Sequence, residues 1–185
     1  MQILAASYPG AIGDYQSIAT TTVGVGGVAT VTFSAIPATY SHLQIRALTR
    51  TNRVAVNDGA YIYLNSDTTK TNYTLHGLQG DGATATSFGY ASASATGAQT
   101  TSMLGNSSTA QMFSVMVMDI LDYANTNKNK TIRIFGGNDT NGAGIIQLVS
   151  GAWLNSSAVN SIQFAPVNGT LFLQYSSFAL YGIKG

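Results

Sequence analysis

The sequence predicts an all-β fold, a single jelly-roll-type antiparallel β-sandwich of roughly ten strands. Between Tyr40 and Gly185, short apolar runs follow one another with turn residues at short intervals, which is typical of sandwiches and barrels. Glutamate is absent and only 8% of the residues are charged, so Thr, Ser, Asn and Gly supply a polar surface of the kind that sheets tolerate. The length of 185 residues fits one domain with a full core.

The first elements are an N-terminal arm and a pair of strands joined by glycines. Residues 1–15 have poor periodicity and contain Pro and Gly, which predicts an arm that precedes a β-sandwich domain over residues 16–185. Residues 17–23 and 28–33 form two short runs joined by the glycine-rich segment 24–27. Because glycine adopts the positive φ that a tight turn needs, we expect a hairpin.

The clearest strand signal covers residues 42–50. Leu43 and Ile45 alternate with polar residues, Arg46 and Arg50 among them, so one face of the strand is apolar and the other polar. This alternation predicts a half-buried strand. Further strands are predicted over residues 60–64 and 72–78.

The segment 80–106 is rich in Gly, Ala, Ser and Thr and has few large apolar residues. It is either a long exposed loop or a weakly patterned hairpin at the edge of a sheet. Long loops in compact domains are often functional. The segment is therefore a candidate for recognition.

Residues 111–121 are apolar on both faces. Their length alone would allow a helix, but the β-branched and aromatic content favours a central strand. A polar turn follows over residues 122–130. The remaining strands are predicted over residues 131–135, 145–153, 159–164 and 171–181. The absence of an internal repeat argues against a propeller or a β-helix.

The weak charge of the chain limits its partners. A formal net charge of +1 without a basic stripe argues against binding to nucleic acid. A nearly neutral surface has little self-repulsion and favours association, either as a homo-oligomer or within a larger assembly. No window is long and apolar enough for a membrane span, and the N-terminus lacks the pattern of a signal peptide. If the protein acts outside a cell, we expect release by lysis.

The sequence offers no catalytic constellation and no cofactor motif. Cysteine is absent, and no nucleophile elbow surrounds a serine. The two histidines, His42 and His76, are more typical of a strand surface and a strand end than of a general base. Asp119 and Asp122 would face opposite sides of a strand, which argues against an acid pair. We therefore expect neither an enzyme nor a cofactor.

Residues 139–142, Asp-Thr-Asn-Gly, are similar to the opening of a calcium loop. The loop length and the closing Glu are missing, so a plain turn is favoured and no metal site is predicted. A loose calcium site built from several loops stays an open alternative.

Four segments of the chain carry a family likeness: residues 15–20, 31–46, 130–153 and 178–183. Together they resemble a group of tailed-bacteriophage virion proteins, notably from phages of cyanobacteria and other aquatic bacteria. The likeness spans most of the chain outside residues 80–110. It includes no active-site motif.

The resemblance implies a jelly-roll protein with a structural role in the virion. We expect a capsid cement or decoration protein that is made in the host cytoplasm, lies on the capsid surface and binds the major capsid protein. A homo-oligomer, with a trimer as the expected count, would span joints between shell subunits. The alternative is a receptor-binding tail- or head-fibre domain that recognises host surface carbohydrate, for which Phe88 and Tyr90 are the candidate loop residues.

Arg46, Arg50 and Arg53 are the candidate capsid-docking residues. Arg46 and Arg50 share one face of the predicted strand, and Arg53 extends the line in a chain with few other charges. They form either a solvated face with Asp partners or a docking stripe whose guanidinium groups bind carboxylates of a shell protein.

Met112, Met116 and Met118 share a face of the run 111–121 and form the candidate oligomer interface. Thioethers fill irregular gaps in cores and in interfaces alike. Core packing is the favoured interpretation. Because the opposite face of the run is also apolar, one of the two faces is expected at a subunit contact.

Overall fold

The computed structural model describes residues 13–91 and 98–185, and the all-β prediction is confirmed. Ten of the thirteen strands in this part have five or more residues. The strands are β1 (Tyr15–Thr22), β2 (Val31–Phe33), β3 (His42–Thr49), β4 (Asn57–Asp58), β5 (Ala60–Leu64), β6 (Tyr73–Gly80), β7 (Ala85–Tyr90), β8 (Met103–Leu104), β9 (Ser114–Leu121), β10 (Lys130–Asp139), β11 (Gly144–Trp153), β12 (Ile162–Pro166) and β13 (Ser177–Ile183). The only helical turn among the described residues is a short 3-10 helix over Lys70–Asn72.

Two sheets of unequal size form the body of a β-sandwich. The main sheet has eight strands in the order β1-β13-β3-β9-β10-β11-β6-β7. The second sheet has three strands, β2-β12-β5, and β4 pairs with β8 as a short ribbon. All of these strand pairings are antiparallel. The sandwich class is therefore observed, whereas the jelly-roll subtype stays a prediction.

The start of the sandwich lies close to the predicted domain boundary. Residues 1–12 of the predicted arm lie outside the described residues. The carbonyl of Asp14 accepts a hydrogen bond from the backbone N–H of Lys184 at 2.8 Å, and Tyr15 is the register partner of Ile183. The last strand therefore fixes the first one from Tyr15 onward, one residue before the predicted boundary.

The predicted hairpin over residues 17–33 is wrong. β1 pairs with β13 at the edge of the main sheet, whereas β2 pairs with β12 in the second sheet. The segment 24–27 therefore carries the chain from one layer to the other. Gly27 has a φ of 73°, and a Cβ atom there would lie 2.6 Å from the carbonyl oxygen of Phe172. The glycine serves a close approach between segments, a requirement that looks the same in sequence as a tight turn.

The core lies between the two sheets and is built from alternating residues of the long strands. Leu43 and Ile45 in β3 and Phe178 in β13 are fully buried. The ring centre of Phe178 lies 5.3 Å from that of Phe164 in β12, which joins the layers. Burying one such side chain contributes about 1.5–3 kcal/mol. Because side chains alternate, the other face of each strand in the main sheet points away from the second sheet.

The segment 80–106 is predicted to be either a long exposed loop or a hairpin at a sheet edge. Its first part completes a hairpin at the edge of the main sheet. β6 pairs with β7, which is the last strand of that sheet. The turn between them is stabilised by Asp81, whose carboxylate accepts hydrogen bonds from the backbone N–H groups of Ala83 at 2.9 Å and Thr84 at 2.7 Å. Residues 92–97, which belong to the same predicted segment, lie outside the described residues.

The apolar run 111–121 contains a central strand, as predicted. β9 lies between β3 and β10 in the middle of the main sheet. Its even-numbered residues are buried, whereas Val115 and Leu121 on the other side are exposed. The sheet centre therefore has an apolar side that no part of the described chain buries.

Asp67 joins the segment before the 3-10 turn to the main sheet. Its carboxylate accepts hydrogen bonds from the indole N–H of Trp153 at 2.7 Å, the amide of Asn72 at 2.8 Å and the backbone N–H of Thr69 at 2.9 Å. Burial alone raises the pKa of Asp67. The hydrogen bonds outweigh that effect and hold the pKa of this carboxyl below its ordinary value.

We expect Asp67 to make the stability of the fold depend on pH. Because its pKa is lower in the folded than in the unfolded state, the ionised carboxylate stabilises the fold above the ordinary Asp pKa of about 4. That contribution is lost as the pH falls through the folded-state pKa. The variant Asp67→Asn should therefore lose about 1–2 kcal/mol of unfolding free energy at neutral pH and show a weaker acid dependence. Urea unfolding of both proteins at neutral and acid pH measures this, and an equal acid dependence would contradict it.

Candidate functional site on the outer face of the main sheet

The outer face is the side of the main sheet that points away from the core. Six large apolar side chains on its central strands have exposed fractions between 46% and 61%. We call them the apolar band: Leu48, Leu78, Val115, Phe135, Ile146 and Leu148. Soluble monomers rarely expose a contiguous apolar patch of more than a few hundred Å², and larger patches mark sites of interaction.

The strand register makes the apolar band contiguous. Phe135 is the partner of Leu148 in β11, and Leu148 is the partner of Leu78 in β6. Leu48 in β3 is the partner of Val115 in β9. The Cβ atoms of directly opposed residues lie about 4.5–5.5 Å apart, so their side chains touch across the strands. Val115 is opposite Gly137, whose other partner is Ile146, and Phe135 is opposite Val117, so the two groups adjoin across β9 and β10. The band therefore crosses five neighbouring strands of the sheet.

A row of polar side chains runs beside the apolar band. Gln44, Asp119 and Arg133 are register partners in three neighbouring strands. The amide of Gln44 donates to Asp119 at 2.9 Å, and the guanidinium of Arg133 donates to the same carboxylate at 3.2 Å. Ser150 and His76 continue the row into β11 and β6. Exposed pairs of this kind add little stability, but they impose orientation on a partner.

An open groove of about 870 Å³ lies on the outer face where β10, β11, β6 and β7 are adjacent. Leu78 and Leu148 of the apolar band line it together with His76, Ser150 and Arg133 of the polar row. Apolar centres with polar rims are the usual composition of protein interfaces. The outer face therefore has the chemistry of a surface that contacts another macromolecule.

Arg46, a predicted docking residue, lies exposed on the outer face. Its guanidinium carbon lies 5.6 Å from the ring centre of Tyr15 and 5.9 Å from that of Tyr181. Its Nε atom donates a hydrogen bond to Gln44 at 3.1 Å. Exposed cation–π contacts contribute about 0.5–1 kcal/mol, so a partner could recruit this guanidinium at little cost.

Arg50 is buried and cannot form a docking stripe with Arg46. The regular alternation of β3 ends at Thr49, and Arg50 lies in an isolated bridge to Leu104. Burial lowers the pKa of Arg50, but a guanidinium stays charged. Its Nη1 and Nη2 atoms donate four hydrogen bonds of 2.5–3.3 Å to backbone carbonyls, those of Asn106, Ser108, Thr109 and Met112.

Arg53 faces a different part of the molecule, so the predicted stripe of three arginines is not formed. Its guanidinium donates to the carbonyl of Asn57 at 2.9 Å and lies 4.0 Å from the buried carboxylate of Asp58. Asp58 in turn accepts a hydrogen bond from the hydroxyl of Thr51 at 2.8 Å. Of the three arginines, only Arg53 has an Asp partner, so the alternative of a solvated face with Asp partners applies to Arg53 alone.

Two of the three residues of the predicted methionine interface belong to the core. Met116 and Met118 are buried between the sheets. Met112 precedes β9 and is half-buried, and its carbonyl accepts a hydrogen bond from Arg50. Because Met116 and Met118 are inaccessible in the folded chain, the favoured core interpretation applies to them. The side of β9 that a partner can reach is the one with Val115.

Phe88 and Tyr90 lie on the edge strand β7 rather than on an exposed loop. The Phe88 ring covers Gly77 in the neighbouring strand, where a Cβ atom would lie 2.4 Å from the ring. Both aromatic residues line a polar cavity of about 370 Å³ that also contacts Arg53 and Asp58. Their role in recognition stays a prediction, and the structure places both residues in the wall of a cavity rather than on a loop.

The residues considered for catalysis are engaged in local contacts. The Nδ1 atom of His42 accepts a hydrogen bond from the backbone N–H of Asp122 at 3.0 Å. The Asp122 carboxylate also pairs with Lys128, which together with His42 holds its pKa below the ordinary value, against the opposing effect of desolvation. Asp119 pairs with Arg133 on the outer face. The two acids thus have separate partners.

The segment 139–142 forms the turn between β10 and β11. The backbone N–H of Thr140 donates to the carbonyl of Ala143 at 2.7 Å, and that of Asn141 donates to the Asp139 carboxylate at 2.8 Å. Asn141 and Gly142 both have positive φ, which suits a tight hairpin turn. Within residues 13–91 and 98–185, no three side chains of His, Asp or Glu gather into a group that could hold a metal ion.

Comparison with protein-family models, with curated proteins and with solved structures finds no match to this chain. The described residues contain no helix that is both long enough and apolar enough to cross a membrane. The function of the chain is therefore inferred from the chemistry of its outer face and of its polar cavity.

The sequence predicts a subunit contact on one face of the run 111–121, but not the extent of the apolar band across five strands, nor the burial of Asp58 and Lys130. The signal for the band was present, because the run 111–121 is apolar on both faces. That pattern predicts a strand with one face in the core and the other at a subunit contact. Only the strand order shows that one of those sides lies on the outer face.

Proposed function

We propose that the chain is a non-enzymatic structural protein of a phage virion, a cement or decoration protein that binds the outside of the capsid shell through its outer face. The exposed apolar band is the observation that carries this proposal. The resemblance to tailed-phage virion proteins supplies the class of partner, the major capsid protein. The rigid β-sandwich supports it as a platform that holds the band in place.

The apolar band is large enough to be the centre of a stable contact. Five of the six members are aliphatic and only Phe135 is aromatic, and together they expose several hundred Å² of apolar surface, on the order of the largest patch of a monomer. A standard interface buries about 800 Å² on each partner. The band and the adjoining polar row together match one side of such an interface. Repeated at many positions of a shell, this burial would hold adjacent shell subunits together.

Weakening the apolar band should abolish shell binding while leaving the fold intact. The triple variant Leu78→Thr, Phe135→Thr and Leu148→Thr keeps residues of high strand propensity at exposed positions. Losing the burial of three such side chains should weaken binding by about 100-fold or more. Co-sedimentation of purified protein with capsids that lack it measures the change.

The matched control is Val54→Thr, which alters a highly exposed apolar residue outside the outer face. It should bind capsids like the unmodified protein. Equal binding of the triple variant would contradict the proposal.

Analytical ultracentrifugation at micromolar concentration separately tests the proposed homo-oligomer, for which a trimer is the expected count. If the triple variant loses self-association but keeps capsid binding, the band is a contact between copies.

A receptor-binding domain of a tail or head fibre is the second candidate function. The polar cavity beside Phe88 and Tyr90 favours it, since aromatic and amide side chains together suit carbohydrate. Immunogold electron microscopy of purified virions separates the two functions. Label spread over the head supports the cement role, and label confined to the tail or to one vertex supports the fibre role.

A further inference from the structure

We propose that the polar cavity behind the edge strand β7 binds a neutral saccharide. The cavity has a volume of about 370 Å³, at the small end of the range for ligand sites, and suits one or two sugar rings. It lies on the core side of the β6-β7 hairpin, away from the outer face. The inference does not depend on shell binding; it rests on the second candidate function, carbohydrate recognition, and names the ligand class as neutral sugars.

One wall of the cavity is aromatic. Phe88 and Tyr90 are two residues apart on β7 and therefore lie on the same side of the sheet. Tyr90 is 38% exposed, and Phe88 is held against Gly77. An aromatic ring face offers apolar surface to the C–H groups of a pyranose, and tyrosine adds a hydroxyl.

Side-chain amides of the same sheet, Gln79 in β6 and Gln147 in β11, line the cavity beside the aromatic wall. The Nε2 of Gln147 donates to the Oε1 of Gln79 at 2.9 Å. The Oε1 of Gln147 accepts a hydrogen bond from the backbone N–H of Ser102, and these two bonds hold both glutamine side chains in place. The polar side chains of Gln79, Ser102 and Tyr90 all line this cavity. Groups of this kind in a cavity are satisfied by water or by a ligand with hydroxyl groups.

The charges in the cavity balance, which favours a neutral ligand. The Asp58 carboxylate accepts hydrogen bonds from the backbone N–H groups of Asn168 at 3.1 Å and Gly169 at 2.9 Å, and from Thr51 at 2.8 Å. Arg53 lies 4.0 Å from the same carboxylate. A second anion would enter beside this carboxylate, whereas a neutral hydroxyl can exchange with water.

Ligand-observed NMR on the purified protein tests the inference. The probes are glucose, galactose, mannose and N-acetylglucosamine with their disaccharides, and N-acetylneuraminic acid as the anionic comparison. At least one neutral sugar should show saturation transfer and a Kd of about 1 mM or tighter. Tyr90→Ala should weaken that binding about tenfold or more. Tyr175→Ala, at an exposed tyrosine outside the cavity lining, should leave it unchanged.

Gln79→Ala is the second variant, because it removes a polar group of the cavity without altering the aromatic wall. It should also weaken the sugar. Absence of saturation transfer from every neutral sugar, a preference for N-acetylneuraminic acid, or equal binding by both variants would overturn the inference. The triple variant of the apolar band should bind the sugar normally, so failure of capsid docking and failure of this site are distinguishable.

Discussion

Arg50→Ala should lower the free energy of unfolding by about 3–4 kcal/mol, one of the largest losses expected for any single substitution in this chain. The guanidinium of Arg50 makes four hydrogen bonds to backbone carbonyls of the loop before β9. Alanine would leave those four carbonyls without their donor and open a void where the buried Arg50 side chain packed. A residue that only docks on a shell protein would cost almost nothing when removed.

Urea unfolding followed by circular dichroism measures the loss. Arg46→Ala is the matched control, since Arg46 is exposed on the strand that precedes Arg50, and its unfolding free energy should change by less than about 1 kcal/mol. Arg50→Lys should be intermediate, because an ammonium has three donors where the guanidinium has five. Equal midpoints for Arg50→Ala and Arg46→Ala would refute the structural role.

The strands could be predicted from the sequence because their signal is local. In β3 the alternation of Leu43 and Ile45 with polar residues gives both the strand and its buried side. The same alternation wrongly places Arg50 beside Arg46. Residues four apart share a face only if both belong to the strand. β3 ends at Thr49, and the buried bridge after it depends on Leu104, a residue far away in the sequence.

Pairing between distant strands could not be predicted from local patterns. The first strand pairs with the last one, and β2 pairs with β12 across most of the chain. Glycines in the segment 24–27 fit a hairpin and a crossing between layers equally well, since both need backbone freedom. Whether the segment forms a hairpin or crosses between layers depends on which strand edges are free to pair, and that depends on the whole fold.

The candidate sites were predictable in composition but not in position. Phe88 and Tyr90 were identified from the segment that contains them, yet their common wall exists only because β7 pairs with β6. The apolar band likewise needs five strands in one order to bring Leu78 next to Leu148 and Phe135. Side chains that are scattered along the sequence become a surface only through register.

Lys130 is a polar residue whose structural role, like that of Arg50, could not be predicted from the sequence. The sequence assigns it to a polar turn, but it begins β10 on the core side and is fully buried. Burial lowers the pKa of its amine. The Nζ atom donates hydrogen bonds to the carbonyls of Lys128 and Ser156, both at 2.9 Å, and of Asn125. It therefore closes the turn before β10 against the segment after β11.

Lys130→Met should lower the free energy of unfolding by about 2–3 kcal/mol. Methionine keeps most of the buried stem, so the loss reports chiefly on the three carbonyls that no longer have a donor. Lys128→Met is the control, because the Lys128 side chain is exposed and pairs with Asp122 at the surface, where an ion pair contributes less than about 1 kcal/mol. Hydrogen exchange should localise the loss to residues 122–130 and 154–158. Unchanged stability of Lys130→Met would mean that the cost of burying the ammonium equals the gain from its three hydrogen bonds, as can occur for buried charges.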